Sequence, residues 1–219
     1  MNSSQEKSVR ISVNNVTLEG DLTLPKDAEG VVLFAHGSGS SRLSPRNRYV
    51  AKELNMVGLA TLLMDLLTQK EEENDRLTGQ LRFDIDLLAN RLIGATKWLN
   101  KNSATKKLIV GYFGASTGAA AALIAAAKLP DDVHAVVSRG GRPDLAMQYL
   151  PRVRAPTLLI VGGNDVIVVK LNNEVMKHLQ TEKRLETVAG ASHLFEEPGA
   201  LEEVAKLASE WFSYYLRRK

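Results

Sequence analysis

Cysteine is absent from all 219 positions, which excludes disulfides, thiolate metal sites and a thiol nucleophile at once. Aromatic residues make up only 5 %, and no run of about 18 apolar residues occurs, so no segment is suited to crossing a bilayer. Charge of one sign is lacking as well. The 28 basic and 25 acidic residues are spread along the chain and leave a net +3, which argues against a dedicated nucleic-acid surface. The opening residues, Met1-Asn2-Ser3-Ser4-Gln5-Glu6-Lys7, are polar with no apolar stretch behind them, unlike a secretory leader. A cytoplasmic protein acting on a small molecule, without nucleic-acid or membrane partners, is the expectation.

What is present is enough apolar material, 44 %, to bury a sizeable core, and residues 1–219 are expected to form a single domain. Six runs are read as strands, five of them almost continuously apolar, as strands buried on both faces must be: Val31 to Ala35, Leu59 to Met64, Leu108 to Phe113, Val133 to Val137 and Thr157 to Val161, with Arg184 to Val188 as the sixth. Helical patterns fall between and after them, near Arg46 to Met56, Phe83 to Asn100, Thr117 to Lys128, Val166 to Leu179 and Leu201 to Leu216. The last places Val204, Leu207, Ala208, Trp211 and Tyr215 on one core-facing stripe. Ser44-Pro45 reads as a helix cap followed by proline at the first helical position. Ahead of all these, Ser8 to Val13 and Val16 to Leu24 alternate around Asn14-Asn15 as an edge hairpin. The pattern predicts an α/β fold: a mostly parallel central sheet of about eight strands, helices on both faces and no cap domain. One polar connection is long, roughly Thr68 to Arg82, and with Glu71-Glu72-Glu73 inside it is read as a solvated loop.

Between the strand ending at Phe113 and the alanine-rich helix from Thr117 stands Gly114-Ala115-Ser116-Thr117-Gly118, the G-x-S-x-G pattern of a nucleophile elbow. Glycine on both sides lets the serine occupy a turn too tight for bulkier neighbours. The competing reading is that Ser116 merely caps the helix. A serine nucleophile needs a base and an acid, and in this type of sheet both follow it in sequence, at later strand ends. Asp165 sits past the strand Thr157 to Val161, after Gly162-Gly163-Asn164. Asp144 competes, but it lies a loop earlier, where helix capping accounts for it. His36 precedes the serine, His134 opens a strand and His178 lies within a helix, which leaves His193 in Gly190-Ala191-Ser192-His193-Leu194-Phe195 after the last strand.

A tetrahedral intermediate carries an oxyanion that backbone donors must meet. The Thr117 N–H, at the positive end of a helix, is one candidate. The other lies in His36-Gly37-Ser38-Gly39-Ser40-Ser41, with Ser38 first and Gly39 next. That loop lacks the G-x-G-x-x-G and G-x-x-x-x-G-K-[ST] patterns of phosphate cradles. Ser138-Arg139-Gly140-Gly141-Arg142 follows a strand at the same sheet edge, so Arg139 or Arg142 can hold a substrate carboxylate through a bidentate pair; pairing with an acid such as Asp144 is the structural alternative.

Taken together, His36-Gly37 after a strand, Gly114-x-Ser116-x-Gly118, Asp165 after Gly162-Gly163 and His193 near the C-terminus resemble the α/β-hydrolase family, and within it the dienelactone-hydrolase-like branch, from about Val16 to Tyr215. Dienelactone hydrolases proper use cysteine where this chain has Ser116. Arg42 to Arg48 and Ser138 to Asp144 are similar to a subgroup of that branch for which the resemblance implies no substrate. The expected activity is hydrolysis of a small ester or lactone by Ser116, His193 and Asp165, with no cofactor or metal. Acyl transfer or amide cleavage at the same site, or a ligand-binding protein of this fold that does not turn over, are the alternatives.

Overall fold

The computed structural model describes residues 5–217. One eight-stranded sheet runs through it, in the order β1-β2-β4-β3-β5-β6-β7-β8. β1 (Gln5–Val13) and β2 (Val16–Leu24) form the edge hairpin in full antiparallel register, with Asn14 at φ 50° in the turn. β2 pairs antiparallel with β4 (Ala60–Met64), and every later pairing is parallel, through β3 (Gly30–Ala35), β5 (Ile109–Ala115), β6 (Val133–Arg139), β7 (Thr157–Gly162) and β8 (Lys183–Val188).

Strand alternation divides the core between the two faces. In β3, Val31, Leu33 and Ala35 join one cluster while Val32 and Phe34 join the other. The first cluster is closed by α3 (Ile85–Lys101), α4 (Thr117–Lys128) and α5 (Val166–His178), the second by α1 (Pro45–Met56) and α6 (Ala200–Tyr215). α4 is buried almost all round, which is why it is built of alanine: larger side chains would hold it away from the sheet. Ser44 caps α1, its hydroxyl accepting from Asn47 N–H, with Pro45 at the first helical position. No described helix is long and apolar enough to cross a membrane.

The stretch read as a solvated loop is folded. α2 (Gln69–Thr78) begins with a reciprocal capping box, in which Thr68 accepts from Glu71 N–H and the Glu71 carboxylate accepts from Thr68 N–H, and it ends on Gly79 at φ 66°. A short 3₁₀ turn, Leu81–Phe83, then leads into α3. Within α2 only Asp75 is buried, so hydrophobic periodicity had nothing to report. Glu71 is no free surface acid, because it also receives Arg91 Nη2 at 2.6 Å from α3.

Candidate active site

β5 stops at Ala115 and α4 starts at Thr117, leaving Ser116 alone to turn the chain, at φ 50° and ψ −122°. A residue with a Cβ rarely adopts positive φ, and such conformations persist where the surroundings enforce them. Here they do: Ser116 N–H donates to Arg139 O at 3.2 Å, and Ser116 O accepts from Arg142 N–H at 3.0 Å and Ala119 N–H at 3.1 Å. Its side chain makes no capping hydrogen bond, which removes the helix-cap reading. The flanking glycines are required by contact. A Cβ on Gly118 would stand 2.2 Å from Ala35 O, and one on Gly114 would stand 2.4 Å from Ala119 Cα.

Asp165 lies at the end of β7 and serves two partners. It is the N-cap of α5, accepting from Val168 N–H at 3.4 Å through Oδ1, while Oδ2 takes His193 Nδ1 at 2.6 Å. A carboxylate only accepts, so this contact assigns the proton to Nδ1 and leaves Nε2 as the basic nitrogen. The loops carrying the two residues are stitched together by Gly163 N–H to Val188 O, Asn164 N–H to Ala191 O and Asn164 Nδ2 to Gly190 O, all between 2.8 and 2.9 Å. Phe195, at φ 56°, is wholly buried and anchors the far side of the histidine loop. The other histidines and the rival acid are engaged elsewhere. Asp144 receives a two-pronged contact from Arg142, both bonds at 2.9 Å; His134 Nδ1 lies against Asp132 O, and His178 beside Glu174.

The fourth histidine, His36, positions the strand-end loop. Leu66 N–H donates to its Nε2 at 3.0 Å, so its proton sits on Nδ1 and donates to Gly37 O at 2.9 Å. Desolvation by burial holds its pKa below 6.5, keeping the imidazole neutral and able to make both bonds. Gly37 packs on the elbow, where a Cβ would stand 3.0 Å from Ser116 Cβ. Next to it Ser38 N–H donates to Thr117 Oγ1 at 3.0 Å. Thr117 N–H, first in α4, has no acceptor inside its own helix. Both proposed oxyanion donors thus border Ser116, one of them occupied by a hydroxyl. Beside this loop opens a cavity of about 270 Å³, walled by Ser38, Leu66 and Leu67 and, from α2 and the turn after it, by Glu72, Arg76 and Arg82. The wall contributed by α2 was not foreseen from sequence.

The two arginines at the end of β6 and just past it part company. Arg142 is committed to Asp144, whereas Arg139 is only 8 % exposed and has Nε and Nη1 buried without hydrogen-bond partners. Burial, with Arg46 nearby, lowers its pKa to about 10, which leaves it charged at neutral pH.

Residues 18–216 match the model of the dienelactone hydrolase family. Among solved structures, a dienelactone hydrolase from Anabaena variabilis superposes with a TM-score of 0.97 at 64 % identity, covering 98 % of this chain and 99 % of that one. The esterase Pf2001 of Pyrococcus furiosus shares the fold, with a TM-score of 0.78 at 21 % identity over 98 % of this chain and 94 % of that one. A Mycobacterium tuberculosis protein provisionally named a phosphoribosyl transferase is 55 % identical over 212 residues, covering 97 % of this chain. The chain spans 47 %, about half, of the length of that relative.

Proposed function

The chain belongs to the dienelactone hydrolase family, and on that premise we propose that it is a serine hydrolase of small carboxylic esters or lactones, working through an acyl-enzyme on Ser116. The observation that carries the reading is the backbone of Ser116: a serine held at positive φ between strand and helix, with no capping bond to explain it. In this mechanism His193 Nε2 takes the Ser116 proton as Oγ attacks the carbonyl carbon. Asp165 holds the imidazole in the required tautomer and stabilises its positive form. The oxyanion receives Thr117 N–H and also Ser38 N–H, which exchanges Thr117 Oγ1 for the stronger acceptor. The imidazolium then gives its proton to the departing oxygen. Water, activated by the same nitrogen, releases the acid and restores Ser116. The phosphoribosyl transferase name describes a protein more than half of which lies outside the match, and no phosphate-cradling glycine pattern is found in the loop at Ser38.

The test is covalent labelling with a fluorophosphonate followed by peptide mapping. The adduct should fall on Ser116 and vanish in Ser116→Ala; an unlabelled wild-type protein would leave a non-catalytic binding protein as the better reading. On p-nitrophenyl acetate, His193→Ala should remove most turnover, and Asp165→Asn should lower kcat by orders of magnitude, roughly 10⁴ where the equivalent change has been measured in another serine enzyme. Normal turnover in Asp165→Asn with loss in Asp144→Asn would reassign the acid.

A further inference from the structure

Aromatic residues are scarce, 5 % of the chain, yet three of them meet in one hollow at the C-terminal end of α6. Positions 211, 214 and 215 are three and four residues apart, so Trp211, Tyr214 and Tyr215 share one side of the helix, which they turn toward the start of β7 and the segment that opens β8. Their rings stand at angles instead of stacking: the centres of Trp211 and Tyr215 are 4.8 Å apart at 56°, those of Tyr214 and Tyr215 4.8 Å apart at 80°. Trp211 is 9 % exposed and donates Nε1–H to Pro156 O at 3.4 Å, which fixes its ring, while Tyr214 is 67 % exposed. Together they wall a cavity of about 240 Å³ whose lining includes the buried Leu158.

This hollow is negative in character. Glu182 and Glu210 line it, and its only lining cation, Arg184, gives Nε to Glu186. α6 ends here with no basic residue in its last turn to answer the partial negative charge of the free carbonyls. Burial, and then Glu182 at its hydroxyl, holds the Tyr215 pKa above the usual phenol value, so Tyr215 remains a neutral ring. The faces of such rings attract cations. Elsewhere in the chain they already hold them: Lys128 and Arg152 lie 5.4 and 5.0 Å from the ring centre of Tyr149, and Arg139 lies 6.0 Å from that of Phe195. Among the described residues no cation lies over Trp211, Tyr214 or Tyr215.

We propose that this hollow binds an organic ammonium ion, a small molecule carrying a quaternary or alkylated amine, with the cation against the faces of Trp211, Tyr214 and Tyr215 and its charge balanced by Glu182 and Glu210. The lining selects an alkylated cation over an inorganic one. Methyl groups on nitrogen pack against rings and Leu158, whereas a hard metal ion needs six or more oxygen ligands, and two exposed carboxylates do not enclose one. Leu158 opens β7 while Ser116 follows the end of β5 in the same parallel sheet, so the hollow lies at the opposite sheet edge from the elbow. The site therefore stands whether or not Ser116 is a nucleophile.

The experiment titrates choline chloride into the full chain at constant ionic strength, beside 3,3-dimethylbutan-1-ol, its uncharged isostere. Binding is read by NMR from the indole N–H resonance of Trp211, told from that of Trp98 by the Trp98→Phe variant. Choline should shift the Trp211 resonance saturably, and the alcohol should bind about 10-fold more weakly or worse, because it fills the same space without the charge. Tyr214→Ala, a change at an exposed position, should weaken choline by about 2- to 30-fold, the span of a cation–π contact from exposed to desolvated, and leave the alcohol nearly unaffected. Glu210→Gln should weaken choline in the same selective way. Equal affinity for choline and the alcohol makes the hollow a merely apolar one and overturns the proposal. So does a Trp211 resonance that choline fails to saturate below about 100 mM, or full choline affinity in both Tyr214→Ala and Glu210→Gln. Should Tyr214→Ala fail to fold, the wild-type comparison of the two isosteres and Glu210→Gln decide on the same terms.

Discussion

Replacing Ser116 by glycine should make the protein more stable while removing the proposed nucleophile. At φ 50° and ψ −122° a side-chain-bearing residue is strained by about 1–3 kcal/mol, and glycine is not. Glycine loses more backbone freedom on folding, about 0.5–1 kcal/mol, so the net gain is roughly 0–2.5 kcal/mol. Ser116→Ala is the reference, because it removes the hydroxyl but keeps the Cβ that packs on Gly37 and keeps the strain. In a chain of this length each kcal/mol moves the melting temperature by about 2–4 °C. Calorimetry should therefore place Ser116→Gly about 3 °C above Ser116→Ala for a gain near 1 kcal/mol. Should Ser116→Gly melt clearly below Ser116→Ala, the turn is not strained as the angles imply, and strain at the elbow drops out of the argument.

Gly118→Ala should abolish soluble expression or lower stability by more than about 3 kcal/mol in urea unfolding, because the new Cβ meets two carbonyl oxygens, of Ala35 and His36, at 2.2 and 2.5 Å. His36 sets an acid limit on stability: its folded pKa lies below 6.5, so under that pH the unfolded chain binds a proton that the native state refuses. Urea midpoints should decline as pH falls beneath 6.5, by up to about 1.4 kcal/mol per pH unit from this group, and His36→Asn should flatten that slope. Asp75 accepts from Leu81 N–H, Arg82 N–H and Arg82 Nε; desolvation pushes its carboxyl up, and those bonds more than reverse the shift. Asp75→Asn should speed amide hydrogen exchange across residues 69–83 well before the rest of the chain, and uniform exchange would show that the segment does not open on its own.

The parts of the fold that were readable are those where burial writes a pattern. β3 to β7 are covered on both faces, and their apolar runs reveal them to within about two residues. α2 writes no such pattern; its signals are chemical, Thr68 three residues before Glu71 and Gly79 just past the end, and a search for capping boxes finds it where a search for periodicity cannot. Glu71-Glu72-Glu73 looked uniform in sequence, yet the first of the three is tied both to Thr68 and to Arg91. The contact of Asp165 with His193 was legible because chain order and strand ends restrict the choices. The parting of Arg139 and Arg142 was not, since it depends on which acid lies within reach. Nor were His36 and Phe195, whose roles come from Leu66, Gly37 and Arg139, partners brought together only by the sheet.

α2 is tied to α3 by Glu71 to Arg91 and to the turn that follows it by Asp75 to Arg82, and it sends no apolar side chain into either core cluster. Yet Glu72 and Arg76 of this helix wall the cavity beside Ser38. This part of the cavity wall is thereby separated from the residues that keep the sheet folded. A lineage or an engineer can rewrite positions 72 and 76, or exchange the 68–83 segment while keeping the Glu71 tie to Arg91, without repacking the interior. In this molecule, one wall of the cavity is free to vary without loss of the scaffold.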